Sequence, residues 1–198
     1  MIKSVAVQIS VSSPEEGGLS DLELVKTILA GEQSSYSVIL KKYQDTIYRM
    51  LLRQTGDTGI ASDLAQETFI RVYEKLGSFR GDSALSTWIT RIALNLANNY
   101  FSSKDYKERK RNVGPVSPDQ TLQADEILAD EKKLALLREF IGELKPKQRS
   151  VLLLCGLERK SYEEAAVILK IPVGTVRSRL HDARLTIRNR FLTEASDL

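Results

Sequence analysis

The chain has 198 residues, 42% hydrophobic and 28% charged, the balance of an ordinary globular protein, and its net charge of +3 does not by itself indicate nucleic-acid binding. Its one cysteine, Cys155, excludes an intramolecular disulfide and a cysteine-based zinc site within one chain, and its place in an apolar run predicts a small buried side chain. No apolar run is long enough to span a membrane and the first eleven residues lack the apolar core of a signal peptide, so we expect a cytoplasmic protein.

Helical periodicity dominates the chain from Ser20 to Tyr106 and again from Asp125 to Phe191, which predicts an all-α fold of two small helical bundles. Residues 1–18 alternate apolar with polar side chains near their start, a pattern that fits either a short strand or a disordered arm. Residues 112–124 contain glycine, proline and serine without apolar periodicity and predict a flexible linker. The expected divisions are an arm (1–18), a first domain (19–111), the linker (112–124), a second domain (125–192) and a tail (193–198).

The helix predicted from about Ile60 to Leu76 carries an exposed polar face with one apolar residue in its middle. Ile70 sits among polar side chains there, an arrangement typical of an apolar anchor with a polar rim in a protein contact. The alternative is a solitary exposed apolar residue, which is common on protein surfaces. The candidate contact residues are Asp63, Gln66, Glu67 and Ile70, and the expected buried side comprises Ala61, Leu64, Ala65, Phe69, Val72 and Leu76.

A loop follows, and after it a helix with Ser86 as its expected N-cap and with an unusual concentration of asparagine on one face. Asparagine is a poor helix former, whereas its side chain can read base edges and a neighbouring tryptophan can stack on a base. The alternative is that Trp88 is a core residue and the asparagines are merely solvated. The polar face comprises Arg91, Asn95, Asn98 and Asn99, beside Trp88, and it is followed by the basic residues Lys104, Lys107, Arg109, Lys110 and Arg111. The expected core stripe comprises Ile89, Ile92, Ala93, Leu96 and Tyr100.

The C-terminal part is basic: eleven Lys or Arg residues stand against four Asp or Glu residues from Lys145 to Arg190, a net +7. A basic domain on a nearly neutral chain suits phosphate binding, with a solvated surface as the alternative. Within it, Ser161 with Glu164 forms a capping-box pattern that opens a helix, as Ser20 with Glu23 does earlier. Pro172 then suits the start of a second helix, which predicts a helix-turn-helix.

The second helix of this pair has a narrow apolar stripe, small polar residues opposite it and arginines on both edges. Such a helix can enter the major groove, with phosphate at its flanks and base edges at its centre, although an ordinary amphipathic surface helix is the alternative. The stripe is Val176, Leu180, Ala183 and Ile187; the opposite face is Gly174, Thr175, Ser178, His181 and Asp182; the flanks are Arg177, Arg184 and Arg188 on one side and Arg179 and Arg190 on the other. His181 is the chain's one histidine, which argues against a metal or catalytic role.

Four motifs together resemble the extracytoplasmic-function (ECF) group of sigma factors, in the sigma-70 family and its sigma-E-like branch. They are DLAQETF (63–69), SFRGDSALSTW (78–88), RIALN (91–95) and PVGTVRSRL (172–180), in this order. The resemblance extends from Leu19 to Phe191. It implies a subunit that directs core RNA polymerase to promoters, with the first domain as region 2 and the second as region 4.

The resemblance also implies roles for the candidate residues. Asp63, Gln66, Glu67 and Ile70 would dock on the clamp helices of the polymerase β′ subunit. The −10 element would be opened, and a flipped base captured near Asn95, by Phe79, Arg80, Gly81, Asp82, Ser83, Trp88, Arg91, Asn95, Asn98 and Asn99. The −35 duplex would be read by Gly174, Thr175, Arg177, Ser178, Arg179, His181, Asp182 and Arg184. The first helices of region 4, with Leu152–Leu154, would support contact with the β flap.

Regulation, too, follows from the resemblance. Many ECF factors are held inactive by an anti-sigma factor at the membrane, so we expect a helical anti-sigma domain wedged between the two domains, and a cytoplasmic chain that can be held at the inner membrane through it. One residue departs from the pattern: Asp182 stands where sigma-E-like proteins commonly carry a basic residue, which affects the expected −35 preference rather than the fold.

Two other functions remain open on the sequence alone. A stand-alone helix-turn-helix regulator would bind duplex DNA tightly without polymerase, and a helical enzyme or scaffold could carry a basic face. No arrangement of nucleophile, base and orienting group indicates catalysis, so we expect neither an enzyme nor a cofactor.

Overall fold

The computed structural model describes residues 19–103, Tyr106 and residues 128–196. Across these residues the chain forms helices and turns and no strand, in two helical domains, so the expected all-α fold is confirmed. The arm (1–18), the linker (112–124) and the basic side chains from Lys104 to Arg111 lie outside the described residues.

The first domain begins with α1 (Asp21–Leu29), which is followed by a 3₁₀ turn (Gln33–Ser35), α2 (Tyr36–Thr55), α3 (Thr58–Lys75), a second 3₁₀ turn (Leu76–Ser78) and α4 (Leu85–Ser102). The capping box expected at α1 is confirmed. The Ser20 hydroxyl accepts a hydrogen bond from the Glu23 amide, and the Glu23 carboxylate accepts one from the Ser20 amide at 2.8 Å.

Helix α3 has the buried side that its apolar spacing predicts, except that Ala65 is half-buried. Its start is fixed by Asp57, whose carboxylate accepts a hydrogen bond from the Ile60 amide at 2.8 Å. Gly56, at φ +71°, ends α2 in the left-handed conformation that glycine adopts without strain. The sharp turn that follows directs α3 back along α2.

Helix α4 differs from expectation in two ways. Ser86 is not its N-cap: the helix is capped by Ala84, whose carbonyl accepts from the Trp88 amide at 3.1 Å, so Ser86 lies within the first turn. The core stripe is also wider than predicted, because α4 packs against other helices on more than one side. Ile89 and Ala93 are buried as expected, and Ile92, Leu96 and Tyr100 are half-buried. The additional buried residues are Leu85, Leu94, Ala97 and Phe101.

The second domain comprises α5 (Leu128–Glu143), α6 (Pro146–Leu152), a π-helical turn (Leu153–Leu157), α7 (Tyr162–Leu169) and α8 (Val173–Ser196). The capping box of Ser161 and Glu164 is confirmed. Helix α7 ends at Lys170, which takes the left-handed φ of +53° while its amide donates to the Ala166 carbonyl. Helices α7 and α8 with this short turn form the predicted helix-turn-helix.

The π-helical turn corrects two expectations from its apolar sequence. Cys155 is half-buried rather than buried, and partial burial raises the pKa of its thiol. Leu153 and Leu154 lie in the core, so these two side chains are not available as the surface expected to support the β flap. Leu157 is instead the exposed apolar side chain of this turn.

The two domains pack directly against each other. Helix α4 of the first domain lies against α6 and α7 of the second, and α2 lies against the π-helical turn. Buried apolar side chains from both domains form one continuous cluster. The orientation of the two domains is therefore determined by packing among the described helices.

Candidate nucleic-acid and protein interfaces

Helix α8 presents the face that the sequence predicts for base reading. Its apolar stripe is anchored by Val176, Leu180 and Ala183, which are buried, while Ile187 is half-buried. On the opposite side Gly174, Ser178, His181 and Asp182 are exposed, and Thr175 is half-buried. Both the helix pair and its outward polar face are therefore formed in the free chain.

The arginines flanking this face differ in their contacts. Arg177, Arg184 and Arg188 are exposed, and the Arg177 guanidinium lies 5.9 Å from the centre of the Tyr162 ring, within the range of a cation–π contact. Arg179 is half-buried, and among the described residues it forms no ion pair with Asp182. The Asp182 carboxylate is thus exposed and not committed to that neighbour.

Two basic residues counted in the phosphate-binding charge have internal roles instead. Arg190 donates two hydrogen bonds of 2.8 Å to the Glu143 carboxylate and lies over the Phe140 ring, so it joins α8 to α5. Arg149 is only 5% exposed. The expected phosphate flank of α8 is consequently reduced on the side of Arg190.

The Arg149 guanidinium is surrounded by carbonyl groups rather than by a carboxylate. It donates to Gln54 of α2 at 2.8 Å and to three carbonyls around the end of α5, those of Ile141, Gly142 and Leu144. It also stacks at 4.8 Å over the Phe101 ring of α4. Burial lowers the pKa of Arg149. No periodicity in the sequence distinguishes this arginine from the exposed ones.

The loop between α3 and α4 exposes Arg80, Gly81 and Asp82, with Ser83 half-buried. Gly81 has φ +79°, and a Cβ there would lie 3.5 Å from Leu22 of α1, so a left-handed turn in contact with α1 shapes the loop. Phe79 and Trp88 are both half-buried, with ring centres 5.5 Å apart. Trp88 is therefore neither a fully buried core residue nor a free platform, since one aromatic partner already contacts it.

The polar face of α4 is divided between solvent and the second domain. Asn95 and Asn99 are exposed. Arg91 donates to the carbonyls of Ile168 at 2.9 Å and Val167 at 2.8 Å, and burial lowers its pKa. The Asn98 side-chain oxygen accepts from the Ser150 hydroxyl at 3.2 Å. Two of the four predicted residues on this face are thus occupied by α6 and α7.

The outward face of α3 matches its prediction. Asp63 and Gln66 are exposed, Glu67 is half-buried, and 53% of Ile70 is exposed. Glu67 is held by Arg71 at 2.8 Å, one turn along the helix.

Beside Ile70 an open groove of about 770 Å³ runs between α2 and α3. Its aromatic lining was not predicted. The Tyr36 hydroxyl donates to the Phe69 carbonyl at 2.6 Å, its ring meets that of Tyr73 edge-on at 5.0 Å, and burial raises the pKa of Tyr36 to about 12. The spacing of Ile70 and Tyr73, three residues apart on one helix, was the available signal for an apolar patch larger than one residue.

Within the described ranges, no cluster of metal-ligating side chains occurs and no helix is both long and apolar enough to cross a membrane.

Comparison with known proteins identifies the family. Residues 39–106 match the model of sigma-70 region 2, and residues 134–187 match that of sigma-70 region 4. The chain is 35% identical over 182 residues to the RNA polymerase sigma-H factor of Pseudomonas aeruginosa, covering 84% of this chain and 91% of that protein. It is 32% identical over 181 residues to the ECF RNA polymerase sigma-E factor of Escherichia coli K12, covering 87% and 94%. The chain belongs to the sigma-70 family.

Within that family it is an ECF-type sigma factor, so the expectation from the motifs is confirmed over that of a stand-alone regulator. Sigma factors of this family bind core RNA polymerase and promoter DNA and act in transcription initiation, and these are the partners of the chain.

Two solved structures share the fold. A structure of CnrH in complex with the cytosolic domain of CnrY covers 87% of this chain and 96% of CnrH, with 20% identity and a TM-score of 0.58. The sigma factor RpoE of Bartonella quintana, in complex with the anti-sigma factor NepR, covers 79% and 96%, with 23% identity and a TM-score of 0.54.

Proposed function

We propose that this ECF sigma factor divides promoter recognition between its two domains, with α8 reading the −35 duplex and α4 with its preceding loop capturing the unpaired −10 strand. The domain limits are those expected from the sequence, 19–111 for region 2 and 125–192 for region 4. The observation that carries the proposal is the exposed polar face of α8 bordered by Arg177 and Arg184, on a helix whose opposite stripe is buried.

The −35 contacts divide by chemistry. Arg177, Arg179 and Arg184 suit phosphate oxygens, whereas Gly174, Thr175, Ser178, His181 and Asp182 face the bases. The Asp182 carboxylate can accept a hydrogen bond from a cytosine amino group in the major groove, where an arginine would favour guanine. Its exposure and its lack of an ion pair with Arg179 support a role as base reader.

At the −10 element the protein breaks no covalent bond. Opening costs stacking and pairing free energy, about 1–2 kcal/mol per base-pair step, and capture of unstacked bases offsets part of it. We assign capture to Asn95 with Asn98 and Asn99, and strand contact to Trp88 and Arg91. Residues 79–83 form the adjoining loop. The exposed Asn95 amide supports its place nearest the flipped base.

Core polymerase contacts the α3 face. Asp63, Gln66, Glu67 and Ile70 dock on the β′ clamp helices, with Ile70 as the apolar anchor and the aromatic groove beside it enlarging the contact. The β flap contact belongs to the first helices of the second domain, where exposed Leu157 replaces the buried Leu153 and Leu154.

The chain acts as a binding subunit and not as an enzyme, in the cytoplasm, under control of an anti-sigma factor that can hold it at the inner membrane. The two relatives of known structure were each solved with a bound partner, and in one case the partner is named an anti-sigma factor. An inhibitor wedged between the domains of this chain would have to displace the direct packing of α4 on α6 and α7.

The test is promoter-dependent transcription by purified chain with core RNA polymerase. We expect specific transcripts that require both components and a −35 element. A chain that binds duplex DNA tightly alone, yet yields no transcript with core enzyme, would contradict this assignment. Val38→Glu, on an exposed part of α2 outside the groove, serves as a matched control for variants of the α3 face.

A further inference from the structure

A small pocket lies where the end of the first domain meets the turn between α5 and α6. Its volume is about 190 Å³, enough for a small ion with a few water molecules. Phe101 and Tyr106 of the first domain form one wall, with ring centres 4.8 Å apart, and the opposite wall includes Lys145 and Arg149. The pocket shares no residue with the proposed −10, −35 or polymerase surfaces, so those functions leave it unexplained.

Arg149 brings a positive charge to this pocket that no carboxylate balances. The residue is 5% exposed, and the four hydrogen bonds that its guanidinium donates all go to backbone carbonyls. Among the described residues it forms no ion pair. Buried charges in proteins are ordinarily paired with an opposite charge, because carbonyl dipoles replace only part of the lost hydration. An anion beside Arg149 would therefore be stabilised.

Two further donors line the pocket without an acceptor. Within the part of the chain that the structure describes, the Tyr106 hydroxyl and the Lys145 ammonium group form no hydrogen bond or ion pair. Burial raises the pKa of Tyr106, although the nearby charge of Arg149 acts in the opposite direction. The phenol therefore keeps its proton and can donate it in a hydrogen bond.

The acceptors in the same walls are already in use. The carbonyls of Gly142 and Leu144 accept from Arg149. The Glu143 carboxylate accepts two hydrogen bonds of 2.8 Å from Arg190, so its charge is compensated on the other side of the turn. Unused donors beside occupied acceptors favour an anion in the pocket and disfavour a cation.

We propose that this pocket binds a small phosphate-type oxyanion, either the free ion or the end group of a small phosphate monoester. The phosphate oxygens accept from the Tyr106 hydroxyl and from the Lys145 ammonium group, and the charge of Arg149 adds to the attraction. Since Tyr106 belongs to the first domain and Lys145 to the second, the ligand contacts both. The site does not depend on how either domain binds DNA or polymerase.

A phosphate of the promoter backbone has the same chemistry, and access to the pocket distinguishes the two sources. Phe101 and Arg149 are each only 5% exposed, so the bottom of the pocket is reached only by a narrow group. A backbone phosphate is flanked by two sugars, whereas a free phosphate or the end group of a monoester is open on at least three sides. The pocket therefore fits the small ligand better.

Binding is measured on the full chain by isothermal titration calorimetry in a chloride buffer of constant ionic strength. Inorganic phosphate and methyl phosphate are the separate probes. We expect saturation at one site per chain in the millimolar range. Saturation by inorganic phosphate alone would assign the free ion, and saturation by both would assign the end group of a monoester. A lack of saturable binding by either probe would overturn the site.

Two variants remove the unused donors one at a time. We expect Lys145→Met to weaken phosphate binding about tenfold and Tyr106→Phe about threefold, because a charged donor contributes more than a neutral one. Lys147→Met removes the same charge from an exposed position of α6 outside the pocket, and Tyr100→Phe alters a ring that contacts Tyr106 at 5.4 Å. Circular dichroism melts establish that each variant is folded. Equal affinity in both variants and their controls would overturn the site.

The position of the ligand is tested on the unaltered chain by lysine acetylation, followed by peptide mass spectrometry. Saturating inorganic phosphate should slow acetylation of Lys145 severalfold and leave that of Lys147 unchanged. Equal rates at Lys145 with and without phosphate would overturn the assigned position. Protection of Lys145 by a promoter duplex as strong as that by phosphate would assign this lysine to the DNA backbone and would also overturn the small-ligand site.

Discussion

Helices α8 and α4 are both assigned to DNA, yet the free chain presents them differently. The polar face of α8 is exposed at Gly174, Ser178, His181 and Asp182, and its opposite stripe packs within its own domain. Helix α4 exposes Asn95 and Asn99, but its Arg91 and Asn98 are bonded to the other domain. The proposed −35 surface is therefore exposed, and the proposed −10 surface is partly covered.

The difference follows from how each helix is packed. Helix α8 needs one buried stripe to stay in place, which leaves its opposite face free for the proposed −35 contact. Helix α4 is buried on more than one side, because it contacts α2 and α3 in its own domain and α6 and α7 in the other. An assignment of function to a helical face thus requires knowledge of every neighbour of that helix.

The largest expected effect concerns the α3 face, which we propose binds core polymerase. Ile70→Glu places a charge at the centre of the α3 face and should weaken core binding by about 100-fold, as expected for an apolar anchor worth about 3 kcal/mol. Duplex binding by α8 should be unchanged. Affinity for labelled core enzyme, compared with Val38→Glu, measures the effect; equal affinities would remove this face from the assignment.

The next largest effect concerns the free energy of unfolding. Arg149 of α6 contacts Gln54 of α2 and Phe101 of α4. Arg149→Met removes a guanidinium that satisfies four carbonyls and leaves several of them buried without a donor, so we expect a loss of about 3 kcal/mol in the free energy of unfolding. Lys147→Met, exposed on the same helix, should change it by less than about 0.5 kcal/mol. Urea denaturation followed by circular dichroism compares them, and similar midpoints would show that the four carbonyl contacts of Arg149 contribute no net stability.

The third prediction concerns promoter opening, the step in which we propose that α4 takes part, and it is tested with Asn95→Ala. If the exposed Asn95 amide binds a flipped base, its loss should slow promoter opening by about tenfold while leaving closed-complex formation intact, since one such base contact is worth about 1–3 kcal/mol. Permanganate reactivity of −10 thymines, followed over time, reports opening. Ser86→Ala, also exposed on α4, is the control, and identical kinetics for both variants would make Asn95 a solvated residue.

The smallest effect is confined to one base position that we propose Asp182 of α8 reads. Asp182→Ala should relax selectivity at one −35 position, at the lower end of the roughly 1–3 kcal/mol of a good base contact, and should slightly strengthen non-specific binding by removing a negative charge near phosphate. Selection from a randomised −35 library at one salt concentration compares the variant with the parent. Identical enriched sequences would end the base-reading role of Asp182.

Features that depend on neighbours in sequence were predicted well. The capping boxes at Ser20 and Ser161, the buried stripe of α8 and the outward face of α3 each involve residues three or four positions apart, so spacing alone specifies them. The N-cap of α4 was wrong because Ala84 caps the helix through its backbone alone, and a backbone cap leaves no signal in the side chains.

The sequence by itself determined the helices, their amphipathic faces and the membership of the chain in the sigma-70 family. Only the tertiary structure decided that Arg149 is buried among carbonyls, that a tyrosine-lined groove lies between α2 and α3, and that α7 covers Arg91. These features join residues far apart in the chain, and an arginine bound to a carbonyl has the same sequence signature as an arginine free to bind phosphate. The physical reason is that backbone acceptors are present at every residue, so their use depends on which helices meet.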